Sequence, residues 1–215
     1  MRILLWGLFA AASLIHLAAC WGEKKTLAGV TKVLLMPLLA VLAGLYAPQV
    51  PVLVEIGLLL GWAGDALLLF QGSGFFVAGA LSFLAGHGCY IAAMAPQVAF
   101  GAVPAWGYAL IVAAYVLAAA LLYRGLRADL GPMRLPVLAY MAGIEAMSAV
   151  ALLRMLTLPG LGPVAGFLGS VLFVVSDGVL AYSNFSKRVR IPRSGFVIML
   201  TYIAAQALIL LGFAL

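Results

Sequence analysis

Two aspartates lie within stretches of sequence that are otherwise almost entirely apolar. Asp65 stands in Gly61-Trp-Ala-Gly-Asp65-Ala-Leu-Leu-Leu, and Asp177 stands in Phe173-Val-Val-Ser176-Asp177-Gly-Val-Leu-Ala-Tyr. A carboxylate buried in lipid is costly unless it is paired, hydrated or protonated, so such residues usually mark function. Carboxyl groups of this kind act as general acids and bases in catalysis or relay protons across membranes. The two aspartates are therefore the first candidates for chemistry in this chain.

The composition indicates that membrane helices must position these aspartates. The chain has 215 residues, of which 67% are apolar and only 8% are charged, whereas a soluble domain carries about a quarter charged residues. Apolar segments of about 20 residues recur along the whole length, which is typical of transmembrane helices rather than of a barrel. We therefore predict an all-α, multi-pass integral membrane protein that forms a single domain over residues 1–215. We expect it in a bacterial inner (cell) membrane.

Eight membrane spans are predicted, separated by short breaks rich in proline, glycine and serine. The spans cover residues 3–20, 28–46, 52–70, 75–95, 104–123, 135–153, 162–182 and 195–214. The first span has the length of a signal peptide, but the second follows too soon, so we expect the first to be retained. The fold prediction is a bundle of eight transmembrane helices.

Basic residues predict the orientation of this bundle. They are concentrated in the first, fifth and seventh loops, as Lys24, Lys25, Lys32, Arg124, Arg127, Arg134, Lys187, Arg188, Arg190 and Arg193. By the positive-inside rule these loops are cytoplasmic and both termini lie on the non-cytoplasmic side. The net charge of +6 is thus a topology signal and a contact for anionic membrane lipids. Nucleic-acid binding is not expected, because no basic surface interleaved with aromatic residues exists.

This orientation places several polar residues in one layer of the membrane. By the helical rise, Asp65 and Asp177 lie roughly 7 Å and 9 Å below the cytoplasmic edge. Other polar residues at or near this depth are His16, Lys32, Tyr202 and Gln206. The layer predicts a cavity that opens toward the cytoplasmic leaflet. No cysteine or histidine spacing indicates a metal site, so no metal and no cofactor are expected.

Some of these residues also have purely structural interpretations. The aspartates can be hydrogen-bond partners at helix interfaces, and Lys32 can extend toward the lipid headgroups with no other role. Glu145 lies near mid-membrane, where pairing with His87 is one possibility. Small residues at near-helical spacing along the third span predict close helix packing without function. These small residues are Gly57, Gly61 and Gly64.

Five short segments, one in each of five expected helices, resemble the YhhN family, which includes the TMEM86-type lysoplasmalogenases. The segments are Thr31-Lys32-Val-Leu-Leu-Met-Pro37, Gly61-Trp-Ala-Gly-Asp65-Ala-Leu-Leu, Gly79-Ala-Leu-Ser-Phe83-Leu-Ala-Gly-His87-Gly-Cys-Tyr90, Phe173-Val-Val-Ser176-Asp177-Gly-Val-Leu-Ala and Thr201-Tyr202-Ile-Ala-Ala-Gln206. The resemblance implies an eight-helix membrane hydrolase acting on the vinyl ether bond of lysoplasmalogens. Its products would be a fatty aldehyde and glycerophosphoethanolamine or glycerophosphocholine. Val33 departs from the family, which more often has a proline after the lysine.

The implied reaction suits the two carboxyl groups. A vinyl ether has no carbonyl group, so its hydrolysis needs no serine or cysteine nucleophile. A general acid protonates the β-carbon, water captures the oxocarbenium ion, and the hemiacetal collapses. Asp65 and Asp177 are predicted to be this acid and the carboxylate that positions water, in either order. The residues predicted to bind the lysoplasmalogen substrate are Lys32, His87, Tyr90, Ser176, Tyr202 and Gln206.

Three other functions use the same residues. A small proton-coupled transporter or channel also needs intramembrane acids and a histidine, but the polar layer lies on one side and no sequence repeat is found. An intramembrane aspartyl protease needs two membrane aspartates, but its Tyr-Asp and Pro-Ala-Leu signatures are absent. A lipid-binding membrane protein without turnover is the third alternative.

Overall fold

The structure, a computed structural model that describes residues 1–215, is built from eight α-helices and three short 3-10 turns. The helices are α1 (Arg2–Trp21), α2 (Lys25–Leu45), α3 (Val52–Leu67), α4 (Ser73–Met94), α5 (Ala105–Leu126), α6 (Arg134–Thr157), α7 (Leu161–Phe185) and α8 (Ser194–Ala214). Each of the eight segments predicted from hydropathy forms one of these helices. No strand is present, so the all-α prediction is confirmed.

Seven of the helices are long and apolar enough to cross a membrane. The exception is α3, whose 16 residues extend about 24 Å by the helical rise, compared with the roughly 30 Å of a hydrocarbon core. Large apolar side chains such as Leu14 and Leu121 are mostly exposed on the outer surface of the bundle. A surface of this kind is stable in lipid and not in water, so the chain is an integral membrane protein.

The helices form a ring of seven with one helix outside it. α2 contacts α1 and α3, α3 packs along α4, and α6 contacts both α4 and α7. α7 packs along α8, which returns to α1 and α2 and closes the ring. α5 lies outside this ring against α6 and α7, and Leu126 is its only buried residue. The core lies inside the ring, where Leu39, Leu58 and Leu210 are fully enclosed.

Glycines allow the closest helix contacts. A Cβ atom on Gly64 of α3 would lie 2.6 Å from the Phe83 ring of α4, and one on Gly169 of α7 would lie 2.8 Å from the Ala205 carbonyl of α8. These distances are shorter than atoms tolerate, so only glycine fits at either position. The close packing predicted for the third span is thereby confirmed.

The three basic loops come together at one end of the bundle. The Asp129 carboxylate, between α5 and α6, accepts a hydrogen bond of 3.2 Å from the Lys187 amide, between α7 and α8. The Arg193 guanidinium, just before α8, lies 3.6 Å from the centre of the Trp21 ring at the end of α1. The positive charges of these three loops therefore share one end, as the positive-inside interpretation requires.

Candidate functional site

Asp65 lies in a buried ion pair that joins three helices. Its Oδ1 atom is 3.0 Å from the Lys32 ammonium of α2, and its Oδ2 atom accepts a 2.9 Å hydrogen bond from the Tyr202 hydroxyl of α8. Asp65 is only 2% exposed, and the Lys32 side chain is 17% exposed. Lys32 therefore points into the bundle and neutralises Asp65, and it does not extend toward the headgroups.

A chain of hydrogen bonds continues from this ion pair toward α4. Gln206, one helical turn beyond Tyr202 on the same face of α8, donates to the Tyr202 hydroxyl at 3.4 Å. The Tyr90 hydroxyl of α4 donates to Gln206 Oε1 at 2.7 Å. Both Tyr90 and Gln206 are buried, and their polar atoms are satisfied within the protein. We refer to Lys32, Asp65, Tyr202, Gln206 and Tyr90 as the Asp65 network.

Asp177 belongs to a second, separate set of polar residues. The Tyr140 hydroxyl of α6 donates to Asp177 Oδ2, and the same hydroxyl lies 3.1 Å from His87 Nε2 of α4. The other oxygen, Asp177 Oδ1, makes no hydrogen bond within the protein. The Asp177 residue is also partly exposed. We refer to Asp177, Tyr140 and His87 as the Asp177 network. One carboxylate oxygen of this network is thus free to contact a ligand.

Two phenylalanine side chains separate the networks. The Phe173 ring has its centre 4.8 Å from that of His87 and 5.4 Å from that of Tyr202. The Phe83 ring centre lies 6.0 Å from that of Tyr202 and 6.3 Å from that of Phe173. The two aspartates form no hydrogen bond with each other, so they belong to neighbouring sets and not to one hydrogen-bonded pair.

A cavity opens beside the Asp177 network. It is lined by 19 residues, of which 15 are hydrophobic. The side chains with polar atoms on its wall are Tyr140, Glu145 and Asp177. Asp65 is not part of the lining. Of the two aspartates, Asp177 is therefore the one that lines this cavity.

Other predicted site residues have different positions. The Ser176 hydroxyl donates to the Ile198 carbonyl at 3.0 Å, so it joins α7 to α8, and its contact with substrate stays a prediction. His16 bonds the Thr31 hydroxyl at 2.8 Å, one residue before Lys32. The possible pairing of Glu145 with His87 is wrong, because His87 bonds Tyr140 and Glu145 Oε1 has no partner.

Tyr140 is the residue that the sequence-based reasoning missed. It lies in the apolar sixth span, in Val-Leu-Ala-Tyr140-Met-Ala, and none of the five family-like segments includes it. A signal was present, because a tyrosine hydroxyl deep in a membrane span needs a hydrogen-bond partner. That requirement predicts a polar partner for Tyr140 but does not select an acid, since the Tyr115 hydroxyl bonds Ser148.

The arrangement suits proton transfer to an apolar ligand. Asp177 presents one oxygen toward the cavity while Tyr140 holds the other, so its carboxyl group has a fixed orientation. Asp65 has both oxygens occupied within the protein, one by Lys32 and one by Tyr202. No group of three or more His, Cys, Asp or Glu residues is placed to hold a metal ion.

Comparison with known proteins relates the chain to one family and to a human protein. The sequence model of the YhhN family matches residues 27–213. A human protein, Lysoplasmalogenase TMEM86B, is 34% identical over 160 residues, which cover 74% of this chain and 62% of that protein. The chain therefore matches less than two thirds of the human protein's length. No solved structure matches the chain.

Proposed function

The chain belongs to the YhhN family, and from this premise we propose that it is a membrane hydrolase of lysoplasmalogens. It cleaves the vinyl ether bond to give a fatty aldehyde and glycerophosphoethanolamine or glycerophosphocholine. The similarity to human Lysoplasmalogenase TMEM86B supports this substrate class. The observation that carries the proposal is the position of Asp177, which Tyr140 orients on the wall of a largely apolar cavity.

In this proposal all eight helices cross the membrane, and both termini lie on the non-cytoplasmic side. The basic loops at one end of the bundle support this orientation. α3 is short, but three further residues continue it in a turn as far as Phe70. With this topology, the loop-side end of the cavity faces the cytoplasmic leaflet of the cell membrane, where lysolipid substrate enters.

Asp177 is the general acid of the proposed reaction. Its carboxyl proton passes to the β-carbon of the alkenyl chain, which forms a new C–H bond and leaves positive charge shared between the α-carbon and the ether oxygen. The resulting carboxylate stabilises this charge and accepts a proton from the water that adds to the α-carbon. The hemiacetal then collapses with cleavage of the carbon–oxygen bond, and the glycerol oxygen leaves with a proton. One water molecule is consumed.

The remaining predicted residues support this centre. Tyr140 orients Asp177, and His87 orients Tyr140. The Asp65 network holds Tyr202 against Phe173, and Phe173 packs against His87. Lys32 and Asp65 thus act as positioning residues, together with Tyr90, Tyr202 and Gln206. Ser176 contributes by holding α7, and therefore Asp177, against α8.

The proposed function is tested by measuring fatty-aldehyde release from lysoplasmenylethanolamine with the purified protein. We expect wild type to release aldehyde and Asp177→Asn to release at least a hundredfold less, because a general acid typically contributes about 10²–10⁴-fold. Asp129→Asn is the matched control, since Asp129 lies in the loop between α5 and α6, and it should retain wild-type turnover.

Two outcomes would contradict the proposal. Full aldehyde release by Asp177→Asn would remove Asp177 from the chemistry. No aldehyde from folded wild type, together with proton-coupled solute uptake in proteoliposomes, would instead favour the transporter alternative.

A further inference from the structure

Pro37 leaves one backbone carbonyl of α2 without its usual donor. Proline has no amide hydrogen, and Pro37 lies inside the helix. The carbonyl of Val33, four residues earlier, therefore receives no hydrogen bond from position 37. In the hydrocarbon region of a membrane no water replaces such a donor, and a neighbouring helix has to supply one. The Val33 carbonyl thus needs a donor from outside α2.

Trp62 of α3 supplies this donor. Its indole Nε1–H group donates to the Val33 carbonyl oxygen at 3.0 Å. An indole ring has a single donor and no acceptor, so this bond uses the whole hydrogen-bonding capacity of the side chain. Trp62 is 40% exposed on the outer surface of the bundle. The residue therefore contacts lipid while its one polar side-chain atom bonds α2.

A second hydrogen bond between helices shows by contrast what is particular to Val33. The Ser82 hydroxyl of α4 donates to the Leu60 carbonyl of α3 at 2.7 Å. Gly64, four residues beyond Leu60, has an amide hydrogen, so the Leu60 carbonyl has a helical donor available and the hydroxyl adds a second bond. The indole bond at Val33 instead replaces a donor that the helix lacks.

The indole bond lies beside the buried ion pair of the Asp65 network. Lys32 directly precedes Val33, and Asp65 follows Trp62 by three residues, which is about one helical turn. Two contacts, both of 3.0 Å, therefore join the same short stretch of α2 to successive turns of α3. A movement of α2 along α3 that separates Lys32 from Asp65 also has to break the indole bond.

We propose that Pro37 and Trp62 are positioning residues for the Lys32–Asp65 ion pair. Pro37 frees the Val33 carbonyl, and Trp62 bonds it. This bond holds α2 in the register on α3 that places Lys32 against Asp65. Losing an outside donor costs more at a carbonyl that has no other partner, so the proline strengthens the preference for this register. The inference concerns the ion pair and does not depend on the proposed hydrolase reaction.

The reactivity of Lys32 tests this inference without any substrate. The purified protein in detergent is acetylated with an amine-reactive reagent, and each lysine is followed by mass spectrometry. The Lys32 side chain is 17% exposed, whereas Lys24, Lys25 and Lys187 are exposed and serve as internal references. Trp62→Phe should raise the relative labelling rate of Lys32 by roughly fivefold or more, because the orphaned carbonyl makes local opening more frequent.

Pro37→Ala provides the decisive comparison, because alanine restores the amide hydrogen at position 37. In that background the Val33 carbonyl has a helical donor. Adding Trp62→Phe should then leave Lys32 labelling within about twofold of Pro37→Ala alone. Thermal unfolding should follow the same pattern. Trp62→Phe should lower the melting temperature by roughly 3–8 °C in the wild-type background and by less than about 2 °C beside Pro37→Ala.

Two controls separate the hydrogen-bond donor from the bulk of the ring. 3-Benzothienylalanine at position 62 keeps the shape of the indole and has sulfur in place of N–H, so it should reproduce the effects of Trp62→Phe. This isosteric variant also serves if Trp62→Phe fails to fold. Trp106→Phe removes an indole of α5 that is 68% exposed, and it should change neither Lys32 labelling nor the melting temperature.

Equal effects of Trp62→Phe with and without Pro37 would overturn the inference. Wild-type labelling of Lys32 in the benzothienyl variant would overturn it as well. Aldehyde release is a separate readout of the proposed function. If Trp62→Phe raises Lys32 labelling and leaves aldehyde release unchanged, the positioning role stands and the Asp65 network is not needed for turnover.

Discussion

Asp177 and Asp65 are the same residue type in similar apolar segments, but the partners of their carboxylate oxygens differ. Asp65 has a cation and a hydroxyl on its two oxygens. Asp177 has one hydroxyl donor and one oxygen free toward the cavity. Sequence placed both residues at similar depth but gave no means of distinguishing them. The distinction comes from partners on other helices, namely Lys32 for one and Tyr140 for the other.

Tyr140 should be needed for catalysis and not for folding. Tyr140→Phe removes the hydroxyl that orients Asp177 and keeps the ring. We expect aldehyde release to fall by roughly tenfold to a hundredfold, since a hydrogen bond to a charged group contributes about 1.5–3 kcal/mol. Tyr115→Phe is the matched control, because the Tyr115 hydroxyl bonds Ser148 at 2.8 Å and Tyr115 does not line the cavity. Equal loss of turnover in both variants would show that the effect is not specific to Asp177.

Each charge of the Lys32–Asp65 pair should be tolerated inside the bundle only while the other is present, and a double substitution tests this dependence. Asp65→Leu leaves the Lys32 ammonium buried without its counter-ion, which should destabilise the protein by about 3–5 kcal/mol. Replacing Lys32 with methionine in the same chain removes the unpaired charge and should restore most of the loss. Unfolding in a graded detergent mixture measures wild type and both variants. A double variant no more stable than Asp65→Leu would mean that the two charges do not depend on each other.

At the level of helices, hydropathy predicted where each helix lies in the sequence but not which helices pack against each other. All eight predicted segments are helices, because apolar runs of membrane length have few other stable conformations in lipid. The i,i+4 relation of Tyr202 and Gln206 also followed from the helical repeat. The ring order and the position of α5 outside it did not, since nearly every face of these helices is apolar and no sequence periodicity selects a neighbour.

Gly64 allows the close approach of α3 to α4. The Gly64→Ala methyl group would overlap the Phe83 ring, the same ring that packs on Tyr202. We expect a loss of roughly 1–3 kcal/mol in stability, as for overpacking in a dense core. Gly88→Ala is the control, because no atom lies within 4 Å of a Cβ at that position, and its stability should not fall. If both variants unfold alike, close packing of α3 on α4 is not the reason for glycine at position 64.

For the whole molecule, the charge distribution predicts how the bundle sits in its membrane. Green fluorescent protein fused after Arg127, in the loop between α5 and α6, should fluoresce, because that loop is expected in the cytoplasm. The same reporter fused after Leu215 should stay dark, and alkaline phosphatase at that position should be active. The opposite pattern would invert the orientation, and the cavity would then face the other leaflet.

Helix α5, outside the ring and buried only at Leu126, is largely surrounded by membrane lipid and not by protein. Lipid tails accept any apolar side chain, so stability should depend little on which apolar residue occupies most positions of this helix. Random apolar replacements across residues 109–114 should therefore leave expression and turnover near wild type. The same library in α8, whose buried face includes Ile209 and Leu210, should yield few functional clones. α5 is thus the helix of this protein that should tolerate the most substitutions, provided that the new residues are apolar.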